Sequence, residues 1–309
     1  MTLAFYSRSD DPAEWRAAFA TALPDLRFVT DTEIDDPATV RYALVWKPPH
    51  GWLAGFPNLR AIFSLGAGVD ALLDDPTLPP DLPLTRMVDA GMGRQMAEYA
   101  AWGVLHFHRG MQRYLHQQQA REWRPHPGTP ARQYRVGLLG LGVLGEQAAR
   151  LIVATGYPVA AWTRTPRQVA GVENFAGTAA LPAFLARTHV LINFLPLTPD
   201  TRGVLDARLF AQLPRGAAIV NLARGPHLVD ADLLAALDAD HLSGALLDVF
   251  HTEPLATDHP FWRHPKIVVT PHVAAITIAD EAAAQVIENV RRMERGEAPL
   301  HTVDRARGY

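Results

Sequence analysis

The sequence predicts an α/β protein of two domains, each built around a parallel sheet, and three observations point there. Short apolar runs alternate with longer amphipathic segments along almost the whole chain, the pattern of repeated βαβ units. A proline-free stretch from Arg94 to Gln119 divides that alternation into two series. The length, 309 residues, corresponds to two domains of roughly 150 residues each.

In the first series, strands are expected at Leu3–Ser7, Tyr42–Trp46, Ala61–Leu65 and Leu84–Val88. Pro12–Ala22 reads as a helix, with Pro12 in the first turn, where its missing N–H costs nothing. From Arg94 to Gln119 the residues Ala97, Ala101, Val104, Leu105, His108 and Leu115 fall near helical spacing. This predicts one long helix, ended by the proline-bearing stretch Arg121–Ala131. The second series predicts strands at Arg135–Leu139, Pro158–Trp162, Val190–Phe194, Ala217–Asn221, Ala245–Val249 and Ile267–Thr270, with a closing helix at Ile278–Arg295.

Composition narrows the function classes. With 29 basic and 32 acidic side chains the net charge is -3, which argues against a non-specific nucleic-acid or anionic-membrane binder. The absence of cysteine excludes a disulfide framework, a thiolate metal site and a cysteine nucleophile. No H-E-x-x-H pattern is present, so no metal is expected. Apolar runs are too short to span a bilayer, and Arg8 and Asp10 follow Met1–Tyr6 too early for a signal peptide. The expectation is a cytoplasmic protein.

The strongest local signal is Gly140-Leu141-Gly142-Val143-Leu144-Gly145, which follows an apolar strand and opens a helical pattern. In such a loop the first glycine makes the tight turn. The second lets a pyrophosphate approach the backbone, and the third lets helix and strand pack closely. The helix N-terminus adds open N–H groups that favour the negative charge. Gly66-Ala67-Gly68-Val69-Asp70-Ala71 satisfies the same spacing, but its helix meets Asp74-Asp75-Pro76 too soon. It reads as a turn at a strand end, with N–H groups that can face a ligand.

The strand after the Gly140 loop ends in Thr163-Arg164-Thr165-Pro166-Arg167. An NAD site places Asp or Glu on the ribose hydroxyls there. Two guanidinium groups and two hydroxyls suit a 2′-phosphate instead, so NADPH is expected to be preferred, with NAD as the alternative dinucleotide.

With a nicotinamide cofactor, the protein must hold the reducible group, polarise its carbonyl and manage one proton. Such groups lie at C-terminal strand ends in open α/β sheets. Arg224, Glu253 and His272 follow three expected strands of one sheet. An arginine for a carboxylate, a histidine for a proton and a glutamate to orient it make a coherent set. His251 is the rival histidine, too close to Glu253 in sequence to face it across a cleft.

Taken together, Gly140–Gly145, Asn221-Leu222-Ala223-Arg224-Gly225, Asp248-Val249-Phe250 with Glu253-Pro254-Leu255, and Pro271-His272 resemble the D-isomer-specific 2-hydroxyacid dehydrogenases. Within them the glyoxylate/hydroxypyruvate reductase branch is the most similar. Leu65–Asp70 and Gly91–Tyr99 support the match, which runs nearly the whole chain in order. The basic Thr163–Arg167 turn departs from the Asp that many members carry.

The resemblance implies two Rossmann-like domains, one flavodoxin-like and one dinucleotide-binding, with a cleft between them. Residues 1–98 plus 281–309 would form the substrate domain, and 99–280 the inserted dinucleotide domain. It implies reduction of a small 2-oxo acid, glyoxylate or hydroxypyruvate, with Arg224 on the substrate and His272 as proton donor. Glu253 would orient the imidazole and favour its charged form. The amides of Ala67, Gly68 and Val69 would hold the carboxylate, with Trp46 walling the pocket. Leu195, Pro196, Thr198, Leu222, Ala223 and Asp248 would lie beside the cofactor. A homodimer formed through the long helix is also implied. The competing reading is a non-catalytic, nucleotide-sensing module of the corepressor type.

Overall fold

The computed structural model describes residues 1–309, which divide into two compact units: Met1–Met92 with Thr277–Tyr309, and Gly93–Ile276. The crossings fall at 92–93 and 276–277, a few residues before the expected 98–99 and 280–281. The first moves because a helix begins at Met92, so almost all of that helix belongs to the second unit.

The first unit contains strands β1 (Thr2–Tyr6), β2 (Arg27–Thr30), β3 (Val40–Val45), β4 (Ala61–Ser64) and β5 (Leu84–Thr85), all parallel, in the order β2-β1-β3-β4-β5. This is the flavodoxin-like order. Helix α1 (Pro12–Ala22) starts where the Asp11 carboxylate accepts the Ala13 N–H, with proline in the first turn. It buries Trp15 and Phe19 against Phe5 and Phe28. Helix α2 (Asp70–Leu73) is a single turn.

Helices α3 (Met92–His108) and α4 (Met111–Ala120) replace the single long helix expected. Gly110 between them has φ +62°, a left-handed conformation that interrupts the i→i−4 ladder and that glycine adopts without steric cost.

The second unit holds β6 (Val136–Leu139), α5 (Val143–Ala154), β7 (Val159–Thr163), β8 (Val172–Ala176), α6 (Leu181–Leu185), β9 (Val190–Asn193), α7 (Ala207–Phe210), β10 (Ala217–Asn221), α8 (Asp230–Asp238), β11 (Leu242–Leu247) and β12 (Ile267–Val269). The sheet order is β12-β11-β10-β9-β6-β7-β8 and every pairing is parallel. The order reverses at β6, which lies between β7 and β9, and ligands of such sheets sit at that switch point. Both faces are covered, which is why the strands read as continuous apolar runs. Leu138, Ile192 and Val220 pack with α3 and α5, whereas Leu139, Leu191 and Ile219 pack with α6, α7 and α8. The chain then returns to the first unit as α9 (Ala279–Glu294), which packs on α1.

Candidate active site

At the switch point, the three glycines of the β6–α5 loop have distinct steric demands. Gly140 turns the chain at φ +94°, and a Cβ there would lie 3.1 Å from the Phe194 carbonyl. A Cβ on Gly145 would meet the Gly140 carbonyl oxygen at 2.6 Å, whereas one on Gly142 would meet nothing within 4 Å. The backbone is therefore crowded where helix and strand pack and open where a pyrophosphate would approach. Val143 is exposed and Leu144 half-buried at the helix start, while Leu141 is part of the core. This loop fits a dinucleotide.

At the end of β7, Thr163 is buried, and its hydroxyl donates to the Thr165 carbonyl at 2.8 Å. Arg164, Thr165 and Arg167 are exposed around it. The loop after β9 carries Leu195, Pro196 and Thr198. It is folded by Asn193 Oδ1, which accepts the Leu195 N–H, and by Thr201, whose hydroxyl donates to the Pro196 carbonyl.

Arg224, Glu253 and His272 follow β10, β11 and β12, which are adjacent in the sheet. The outer two strands are thus about 10 Å apart, two ladder spacings. His272 Nδ1–H donates to Glu253 Oε2 at 2.9 Å, and Glu253 Oε1 accepts the Phe250 N–H at 3.1 Å. The second contact fixes the carboxylate so that it faces the ring. Arg224 Nη1–H donates to the Ala223 carbonyl at 2.7 Å, tying the guanidinium to its own turn. Gly225 lets this turn reach the next one, since a Cβ there would be 1.9 Å from the Phe250 carbonyl carbon.

Asp248 acts one step back from this pair. It is buried, and its carboxylate accepts the Thr270 hydroxyl at 2.6 Å and the Val273 and Ala274 N–H groups at 2.9 Å each. Its backbone carbonyl accepts the His272 N–H at 2.8 Å. A carboxylate that accepts from three internal donors steadies the loop that carries His272. Tyr99 closes the network against Thr270, and burial holds its phenol above the usual range.

A second polar network, not anticipated from sequence, joins the loops after β9 and β10. Asn193, Asn221 and His227 are all completely buried. Asn193 Nδ2 donates to Asn221 Oδ1 at 3.1 Å, and Asn221 Nδ2 donates to the Arg224 carbonyl at 2.9 Å. His227 lies between the Arg224 and Pro196 carbonyls, 3.2 Å from each. The sequence offers one local mark of it, an asparagine at the end of each of β9 and β10. The rival His251 hydrogen-bonds the Leu228 carbonyl at 2.8 Å, away from the His272–Glu253 pair. Leu222 and Ala223 are buried beneath Arg224.

In the first unit, the amides of Ala67, Gly68 and Val69 are part of the turn between β4 and α2. Trp46 packs on that turn so closely that a Cβ on Gly66 would be 2.3 Å from the indole. The Lys47 ammonium lies 5.5 Å from the centre of the Trp46 ring.

Residues 101–274 match the sequence model of a family described as D-isomer specific 2-hydroxyacid dehydrogenase, NAD binding domain. Over 314 aligned residues the chain is 45% identical to glyoxylate/hydroxypyruvate reductase A of Serratia proteamaculans, covering 100% of each. Among solved structures, it is similar to the D-isomer specific 2-hydroxyacid dehydrogenase of Xanthobacter autotrophicus Py2 in complex with NADPH and MES, with TM-score 0.95 and 45% identity over 100% of this chain and 99% of that one. It is also similar to the NADPH-dependent glyoxylate/hydroxypyruvate reductase of Sinorhizobium meliloti in complex with NADP and sulfate, with TM-score 0.93 and 38% identity over 100% and 99%.

Proposed function

Because the chain belongs to the D-isomer specific 2-hydroxyacid dehydrogenase family, we propose that it reduces glyoxylate or hydroxypyruvate to the 2-hydroxy acid with NADPH. The observation that carries this reading is the His272–Glu253 pair, held at the same sheet edge as Arg224 and the Gly140 loop. A bound nicotinamide supplies the hydride. The protein must supply a proton and hold the oxo acid.

His272 Nε2 is the proton donor in this reading. Glu253 only accepts, so Nδ1 keeps its hydrogen, and Nε2 is the nitrogen that gains and loses one. The ring is oriented by the carboxylate, which accepts from Nδ1 at 2.9 Å. It becomes a neutral, still hydrogen-bonded imidazole after the proton moves to the substrate oxygen. Arg224 contributes a planar, permanently charged donor set for the carboxylate and the polarised carbonyl. In the first unit, the Ala67–Val69 amides are the element we assign to the substrate carboxylate, beside Trp46.

Steady-state assays should show oxidation of NADPH in preference to NADH with these oxo acids. Replacing Arg164 and Arg167 together by alanine should raise the KM for NADPH by about 10- to 100-fold, the loss of charge-assisted hydrogen bonds worth ~1.5–3 kcal/mol. The KM for NADH should stay within about twofold, because the missing contacts belong to the 2′-phosphate. No cofactor oxidation with any 2-oxo acid would favour the non-catalytic nucleotide-sensing module.

The protein is proposed to be a homodimer through α3 and α4. Trp102, Leu105, Met111 and Leu115 are 41–53% exposed and Trp123 is 100% exposed in the single chain. Apolar side chains clustered on one pair of helices and the adjoining loop support an interface between copies. Sedimentation should give a dimer, and Trp102→Glu with Leu115→Lys should give a monomer. A monomeric parent protein would overturn this assignment.

A further inference from the structure

We propose that Asn174 is the residue that sets the choice of phosphorylated dinucleotide, by holding the arginine-bearing turn in one conformation. This rests on the NADPH reading above and deepens it. Asn174 stands on the edge strand β8, opposite Ala161 of β7, outside every motif of the sequence. Its amide nitrogen donates to the Ala161 carbonyl at 3.1 Å and to the Thr163 hydroxyl at 2.9 Å. Its oxygen accepts the Arg167 N–H at 2.8 Å. The Thr163 hydroxyl, in turn, passes its hydrogen to the Thr165 carbonyl at 2.8 Å.

One side chain therefore grips the first and last residues of the Thr163–Arg167 turn, and through Thr163 it holds the middle. Both amide hydrogens and the carbonyl of Asn174 are used, so the grip has one orientation. Arg164 and Arg167 emerge on the exposed side of this frame. A flexible turn would have to be ordered at each binding event, at ~0.5–1.5 kcal/mol for every immobilised long side chain. A pre-set turn avoids most of that cost, and the saving applies only to a ligand that engages the arginines. Asn174 thus acts as a positioning residue whose effect falls on the 2′-phosphate and not on the rest of the nucleotide.

The test is calorimetric binding of adenosine 2′,5′-bisphosphate and adenosine 5′-monophosphate to the full chain, with KM values for NADPH and NADH alongside. Asn174→Leu keeps the side-chain size and removes all three hydrogen bonds. The expected result is a dissociation constant for the bisphosphate about 10-fold weaker, as for the loss of ~1.4 kcal/mol. Monophosphate affinity and saturated kcat should be unchanged. Equal weakening of both nucleotides, or of neither, overturns the proposal and leaves Asn174 a strand-pairing residue. If the leucine variant does not fold, Asn174→Ala serves. It removes the same three hydrogen bonds without adding charge, so the bisphosphate should again weaken selectively. A parent protein that binds both nucleotides equally would overturn the NADPH reading itself, which separates the two failures.

Discussion

Replacing His272 by alanine is expected to lower kcat by about 10²–10⁴-fold, the usual contribution of a positioned general acid. Dissociation constants for NADP+ should stay within about twofold of the parent, because the imidazole is assigned to the substrate oxygen. The variant should also fold normally. His272 has φ 56°, a left-handed conformation that costs a non-glycine residue roughly 1–2 kcal/mol. Alanine keeps the Cβ responsible for that cost. The bonds that enforce the conformation are donated by the His272, Val273 and Ala274 N–H groups to the Asp248 carbonyl and carboxylate, and none of them involves the ring. Stopped-flow measurement of NADPH oxidation with saturating oxo acid separates the chemical step from product release. Parent-like turnover in the alanine variant would remove His272 from its assigned role.

Gly225→Ala should be comparably damaging for a different reason. Its Cβ would lie 1.9 Å from the Phe250 carbonyl carbon, 2.1 Å from its oxygen and 2.4 Å from the His251 nitrogen. All three are backbone atoms, so no rotamer change relieves the overlap. The turn after β10 must withdraw from the turn after β11, carrying Arg224 away from the His272–Glu253 pair. A displacement of about 1 Å at a reacting centre can cost on the order of 10²-fold in rate. Overpacking adds a stability loss of ~1–3 kcal/mol. Thermal unfolding and kcat/KM measured on the same sample test both parts. A variant with parent-like melting and rate would show that the two turns are not held together by this approach.

The doubly covered sheet was legible because each buried strand is a nearly unbroken apolar run, and the glycine loop because its steric demands are local. The edge strands β2 and β8 escaped notice: Arg27-Phe28-Val29-Thr30 is short, and Val172-Glu173-Asn174-Phe175-Ala176 is only partly buried. Missing β8 meant missing Asn174, whose partners Thr163 and Arg167 are near it only through strand pairing. The break at Gly110 was hidden because the helical pattern of apolar residues continues on both sides. Arg224, Glu253 and His272 could be named from their motifs. The buried Asn193–Asn221–His227 network could not, since its hydrogen bonds depend on the register between β9 and β10.

The first unit is made of two separate stretches, residues Met1–Met92 and Thr277–Tyr309, whereas the second is one uninterrupted stretch between them. During synthesis the inserted stretch can therefore complete its sheet while the amino-terminal strands still lack α9. That helix brings Val286, Val290 and Met293 into the core, and it is synthesised after the whole of the inserted stretch. The amino-terminal portion must wait in a partly assembled state, with apolar surface that a chaperone could shelter, until its last structural component arrives.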